Sequence, residues 1–367
     1  MSYNNAVLTI TQSPTPDPFV IAAHNTFYIT FTAGDRIEIW ASPHLLALER
    51  TAHKATIFRP SPDTPYAGGL WAPELHALNG RWHVVFAAEH PARGNKSHRT
   101  YVLRGPPASQ DPTAAAAAWD FAGPLRGLPA WQWAIDATMF EVPGFGRFAV
   151  YSGWPEHNPG LSDLVQQLWI VKMGEAVEAV GRAVCLLRPQ ESWEWSGDHG
   201  ILEGPQWLQA PDGGWSGIVY SCAGSWTKDY KMSTLRYLGG DPLDVNSWRR
   251  SKQPLLTSKQ WGGGGPYGPG HGSFVHVGGE TLAIFHAKDG DDGGWEGRKA
   301  RVQRVMWSLD GPYMGGVTGP MVPTEQAFMM MPAGGIPAQQ PQRKPEDQIK
   351  SEVKGLFKKI KDTIKNL

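Results

Sequence analysis

Hydrophobic positions along this chain come in short runs of β-branched and aromatic residues, cut by turns rich in Gly, Asn and Pro. DPFVIAAH leads into TFYITFT across His24, Asn25 and Thr26, and IEIWAS follows. WAPELHAL and RWHVVFAA are joined by Asn79-Gly80, a strong short hairpin signal, and SHRTYVLRG comes next. IDATMFEV and GRFAVYSGW flank a turn at 143–146, followed by QQLWIVKM. EGPQWLQA and WSGIVYSCA flank 211–214, followed by KMSTLRYL. GSFVHV and TLAIFHA flank Gly278-Gly279, followed by ARVQRVMWS. Each unit predicts strand, hairpin, strand, longer loop, strand. ALERTAHKA and AVCLLRP predict a fourth, outer strand in two of them.

The first strand of every unit opens on a polar residue: Asp17, Glu74, Asp136, Glu203 and His271, at intervals of 57, 62, 67 and 68 residues. A recurrence of that length marks a repeated supersecondary unit. A small antiparallel sheet cannot bury both faces alone, and repetition around an axis solves the problem. The pattern predicts an all-β fold, a five-bladed β-propeller with the five polar residues aimed at one axis. A β-sandwich or a two-sheet solenoid is the alternative, but neither offers a point where five strand starts meet.

The remainder predicts little helix. Residues 106–120 (PPASQDPTAAAAAWD) predict one helical turn inside a loop. The propeller is expected over residues 1–331, and 332–345, rich in Pro, Gly and Gln, reads as a linker. Residues 346–367 place Ile349, Val353, Leu356, Ile360, Ile364 and Leu367 at helical spacing, with Lys opposite and Phe357 widening the stripe. Such a tail helix packs on the propeller, self-associates, or lies on a membrane surface; the residues leave these open.

Composition narrows the functional classes. Lys+Arg and Asp+Glu are both 34, a balance that argues against nucleic acid as a partner. No run of 18 apolar residues is present, and the N-terminus lacks the pattern of a signal peptide. The chain reads as cytoplasmic as it stands, or as secreted with a leader removed. Two cysteines, Cys185 and Cys222, do not make a disulfide framework, and their pairing is open. Seventeen Trp exceed the needs of one core, so some are expected to line a surface that stacks on flat apolar faces such as sugar rings. Trp71, Trp154 and Trp226 lie near the motif residues and are the candidates; packing between blades is the other use for them.

Carboxylates converging in a neutral protein suit glycosidic hydrolysis. Inversion needs a base and an acid on opposite sides of the bond, roughly 6.5–9.5 Å apart so that a water fits. Asp17, with its short side chain, suits activation of a water. Glu203, with its longer one, suits delivery of a proton to the leaving oxygen. A carboxylate beside Glu203 would hold it protonated. The glycine run before Pro266 lacks the Lys-Ser/Thr of a phosphate loop. The other histidines show no zinc-type spacing.

With PDPFVI, WAPELH, IDATMFEV, EGPQWL, GPGHGSFV and RKARVQRVMWSLDGP in this order, residues 13–316 resemble glycoside hydrolase family 43, the five-bladed arabinofuranosidases and xylosidases. The resemblance implies that Asp17 is the general base, Glu203 the general acid, and Asp136 the residue that tunes and orients the acid. It implies that His271 sits at the axis, near a calcium or sodium ion held mainly by water, with no cofactor required. Arg298, with Arg301 as fallback, matches an arginine that contacts substrate near the base. Glu74 departs from a simple structural residue, and a contact to a substrate hydroxyl is expected of it. No β-sandwich module follows the propeller, and LRYLGGDPLDVNSW and HAKDGDDGGWEGRKARVQ look like the arabinofuranosidase-type branch. The expected activity is therefore release of terminal α-L-arabinofuranosyl units from arabinan or arabino-oligosaccharides. A β-D-xylosidase, an endo-arabinanase, and a non-catalytic carbohydrate-binding propeller remain the alternatives.

Overall fold

The structure is a computed structural model that describes residues 7–157, 163–174, 177–258 and 266–314. The linker at 332–345 and the tail helix at 346–367 lie outside the described residues. Five antiparallel sheets, taken here as blades I to V, follow one another along the chain. Blade I orders Phe19–Ala23, Thr26–Thr30, Ile37–Ser42 and His53–Phe58. Blade II orders Gly68–Leu78, Arg81–Glu89, Arg99–Pro107 and Asp120–Pro124. Blade III orders Ala134–Val142, Gly146–Gly153, Gln167–Met173 and Ala179–Leu187. Blade IV orders Leu202–Gln209, Ser216–Cys222, Lys231–Tyr237 and Trp248–Arg250. Blade V takes Tyr267–Val277, Glu280–Lys288 and Lys299–Ser308 from the end of the chain and borrows Leu8–Thr9 from its start. Leu8 pairs with Val302 and Thr9 with Arg301, so the first strand closes the ring on the last blade.

Alternation within single strands builds the core. Successive side chains point to opposite faces, so each strand supplies two neighbouring interfaces. In blade I, Phe27 and Ile29 pack against Val275, Leu282 and Ile284 of blade V. Tyr28, between them, packs against Leu75, Trp82 and Val84 of blade II. In blade III, Ala149 and Tyr151 face Val85 and Val102 of blade II, while Phe148 and Val150 face Ile218 and Tyr220 of blade IV. Val219 of blade IV meets Ala283 and Phe285 of blade V. Each fully buried side chain of this size is worth about 1.5–3 kcal/mol. The hairpin turns follow the sequence: His24, Asn25, Asn79, Gly80, Gly278 and Gly279 all take positive φ.

Two local expectations are corrected. Residues after Arg99–Pro107 form turns, with no helical turn in the Ala run; alanine propensity alone cannot nucleate one. In ALERTAHKA, Leu48–Thr51 make a helical turn and His53–Phe58 alone form the outer strand.

The larger correction concerns the repeat itself. The structural register of the innermost strands is set by a bulge, where the chain takes a left-handed conformation. Its residues are Asp17 (φ 55°), Ala72 (φ 43°), Asp136 (φ 54°), Gly204 (φ 52°) and His271 (φ 49°). Pairing with the next strand skips from Trp71 to Glu74, from Ile135 to Thr138, from Glu203 to Gln206 and from Gly270 to Ser273. Asp and His tolerate this region better than most residues, and Gly enters it freely. Asp17, Asp136 and His271 are therefore equivalent by the repeat. Glu203 stands one residue before the bulge and Glu74 two residues after it, so neither shares their position. A bulge re-aims side chains, and the three residue classes consequently point to different places.

Candidate active site

A cavity of about 670 Å³ opens at the end of the axis where the innermost strands begin. Asp17, Asp136, Glu203 and His271 line it, together with Arg298, Trp71 and Trp226. The strand starts thus bring four of the five predicted polar residues to one place.

Asp17 is the most heavily solvated by protein groups. Its Oδ1 lies 3.1 Å from Arg298 Nη1 and 3.3 Å from His271 Nδ1. Its Oδ2 accepts the Thr32 hydroxyl at 2.7 Å. Its backbone N–H donates to His286 Nδ1 at 3.1 Å. Burial works against ionisation of Asp17, but Arg298 and then His271 lead the groups that outweigh it and hold the carboxyl well below its ordinary range. Burial also pushes His286 down to about 4, so this ring is neutral near pH 7.

Glu203 lies in the opposite environment. Burial pushes its carboxyl up, the charge of Asp17 adds to the effect, and the balance lies at about 7 although Tyr230 and Arg298 pull the other way. Asp136 is raised by burial, then by the charges of Glu203 and Asp17. The interaction between Asp136 and Glu203 is mutual, so the pair titrates as a unit and retains a proton near neutrality. One carboxylate is held charged and a second is held as an acid within one cavity.

The loop joining the second and third strands of blade V positions Arg298. Lys288, buried at its base, donates from Nζ to the carbonyls of Asp292 at 2.6 Å and Gly294 at 3.2 Å. Gly294 N–H donates to the Trp226 carbonyl at 2.8 Å, tying the loop to blade IV. Arg298 Nε donates to the Trp295 carbonyl at 2.9 Å. Trp226 and Trp295 rings stand 5.8 Å apart on this wall, and Trp295 is 59% exposed. Across the cavity, Trp71 stacks on His98 at 3.8 Å.

Three predicted site residues fall elsewhere. Glu74 is buried and does not line the cavity; it binds His76 Nε2 at 2.8 Å and the Gln206 amide. Its displacement past the bulge sends it along the axis away from the opening, so no substrate-hydroxyl contact falls to it. Trp154 is buried beneath Trp133, stacked at 4.8 Å, and it is Trp133 that reaches the cavity. Arg301 is buried and pairs with Asp289 and Thr9, leaving Arg298 as the arginine at the base. Thr32, Trp133, Tyr230, His286 and Trp295 belong to the site or support it and carried no motif signal. Both cysteines are free.

The calcium or sodium ion expected beside His271 is one held mainly by water rather than by side chains. Among the described residues, no three His, Cys, Asp or Glu side chains converge in a metal-holding group. Asp17, the carboxylate nearest His271, already carries the Arg298 cation. These residues do not fit direct coordination of an ion.

The sequence profile of the glycosyl hydrolases family 43 matches residues 3–313. The chain belongs to glycosyl hydrolases family 43. It is 31% identical over 311 residues to an extracellular exo-α-(1→5)-L-arabinofuranosidase of Streptomyces avermitilis, a match that covers 80% of this chain and 60% of that protein. The protein of the same description from Streptomyces chartreusis is 31% identical over 275 residues, covering 71% of this chain and 76% of the relative. The crystal structure of an α-L-arabinofuranosidase from Lactobacillus brevis superimposes with a TM-score of 0.72 at 27% identity, over 85% of this chain and 96% of that one. This family-43 propeller therefore spans less than two thirds of the length of the Streptomyces avermitilis relative.

Proposed function

We propose that this chain is an inverting, exo-acting α-L-arabinofuranosidase that removes terminal arabinofuranosyl units from α-1,5-arabinan or arabino-oligosaccharides. The observation that carries the reading is the opposed environment of Asp17 and Glu203 in one cavity. Asp17, ionised beside Arg298, takes a proton from a water. The water oxygen attacks the anomeric carbon as the bond to the leaving oxygen breaks. Glu203 gives its proton to that oxygen. Asp17 ends protonated and Glu203 ionised, and exchange with solvent resets both. General acid and base groups of this kind each contribute about 10²–10⁴-fold to the rate.

Asp136 supports the acid in two ways. Its coupling to Glu203 keeps a proton on the pair, and its Oδ2 accepts the Gly204 N–H at 3.0 Å, fixing the backbone beside the acid. The names of the Streptomyces relatives support the choice of sugar and of exo action. Trp71, Trp133, Trp226 and Trp295 give the cavity aromatic walls suited to the apolar faces of sugar rings.

The test is a panel of an aryl α-L-arabinofuranoside, an aryl β-D-xyloside, linear arabinan and arabinoxylan. The expected result is hydrolysis of the arabinofuranoside and release of single arabinose units from arabinan. Faster turnover of the xyloside, or release of longer arabinan fragments, would move the assignment to a xylosidase or an endo-acting enzyme. Binding without turnover of any member would make the chain a non-catalytic carbohydrate-binding propeller.

A further inference from the structure

Tyr230 is a fully buried phenol that lies behind the acid and does not line the cavity. Its hydroxyl donates to Glu203 Oε1 at 2.8 Å. Its ring is stacked on His286, with centroids 5.5 Å apart and an interplanar angle of 6°. His286 in turn accepts the Asp17 N–H. A chain of contacts therefore runs from the proposed acid to the proposed base through two rings that never meet the substrate.

The sequence of blade V makes space for this arrangement. In GPGHGS the glycines alternate, so the start of the innermost strand presents no side chains towards blade IV. A Cβ at Gly270 would stand 2.1 Å from Tyr230 Cε1, and one at Gly272 would stand 2.6 Å from Met232 Sδ. Tyr230 and Met232 lie on one face of blade IV and fill the trough the glycines leave. Any side chain at 270 would push the phenol off His286 and away from Glu203.

We propose that Tyr230, seated in the Gly270 trough and stacked on His286, is a positioning residue that fixes Glu203 for proton delivery. With Oε1 held by the phenol, Oε2 is the oxygen left for the leaving group. The phenol keeps its own proton throughout, because burial and the neighbouring carboxylates hold its ionisation well above the ordinary tyrosine range. A hydrogen bond donated to a carboxylate favours the charged form. Tyr230 therefore also keeps burial from making Glu203 too weak an acid.

This inference rests on the function proposed above. The groups facing Glu203 are Asp17 from blade I, Asp136 from blade III, Tyr230 and Cys222 from blade IV, and Arg298 and His271 from blade V. Of these, the substitution Tyr230→Phe alters only the phenol, and it keeps the stack and the fit against Gly270. The alkaline limb of the kcat profile is expected to move up by about one pH unit on losing a hydrogen bond to a charged group. Turnover of arabino-oligosaccharide is expected to fall more than turnover of an aryl arabinofuranoside, whose leaving group needs less acid help. Replacing the tyrosines by 3-fluorotyrosine keeps every ring in place and strengthens the donor, so the limb is expected to move down. An unmoved limb in both proteins, with or without loss of rate, overturns the role of Tyr230. A wild-type chain that hydrolyses no glycoside overturns the proposed function itself, and this inference with it.

Discussion

Asp136 accepts the backbone N–H of Gly204 at 3.0 Å, and Gly204 directly follows Glu203. A carboxyl on one blade thereby grips the chain beside the proposed acid of the next, at the point where that chain turns through its left-handed bulge. Asp136→Asn retains an oxygen for the Gly204 N–H but removes the carboxyl that shares a proton with Glu203, so the last proton no longer leaves against a neighbouring charge. Glu203 then ionises more easily, so the alkaline limb of the kcat profile moves to lower pH. The rate at neutral pH is expected to fall at least about tenfold, as for the loss of a tuned proton donor. A pH–rate profile checks this, and an unmoved limb would contradict the coupling.

Arg298 offers the mirror-image test. After the opposing effect of burial, it is the leading influence that holds Asp17 ionised. Arg298→Met keeps the apolar stem and removes the charge, so the Asp17 carboxyl rises. The acidic limb of kcat/KM moves to higher pH. An acidic limb that stays in place would show that some other group sets it.

Stability should trade against this chemistry. A carboxyl whose folded value is raised binds its proton more tightly when folded. Its contribution to stability is intact below the unfolded value near 4.3 and is lost as pH rises through the folded value, which for Glu203 is about 7. The loss is on the order of 3–4 kcal/mol by pH 8. Glu203→Gln removes this penalty, so Tm at pH 8 is expected to exceed that of the wild type by roughly 5 °C, with little difference at pH 4. Calorimetry at the two pH values checks the sign.

Trp295 is exposed, packs on Trp226 and lies on the loop that carries Arg298. The wall it forms with Trp226 lines the cavity that holds Glu203 and Asp17. Trp295→Ala is expected to raise KM for arabino-oligosaccharides by about 3–10-fold, the worth of one stacking contact. KM for a small aryl arabinofuranoside should change little. Equal effects on both substrates would place Trp295 in the general architecture instead.

The propeller was legible because two periodicities coincide: alternation within strands, and five hairpins of similar length. Asp17, Asp136 and His271 were legible because a polar residue that tolerates left-handed φ stands out before an apolar strand. Glu203 stands one residue before the bulge and Glu74 two after it, yet both read as polar strand starts in the sequence. A string of letters does not show which residue turns left-handed; Ala72 does so without any polar marker. Tyr230 immediately precedes the strand Lys231–Tyr237 and His286 sits within Glu280–Lys288, among aromatic or apolar neighbours, and only the Gly270 trough singles the phenol out. Trp154 and Trp133 stack on each other, and no pattern in the sequence says which of the two faces the cavity.

The account stands most directly on the stereochemistry of its first product. Proton NMR during hydrolysis of an α-1,5-arabino-oligosaccharide by the wild-type chain resolves the anomer released before mutarotation. Attack by a water held at Asp17 while Glu203 protonates the leaving oxygen predicts that β-arabinofuranose appears first. α-Arabinofuranose appearing first would mean retention through a covalent intermediate, and would contradict the roles given to Asp17 and Glu203.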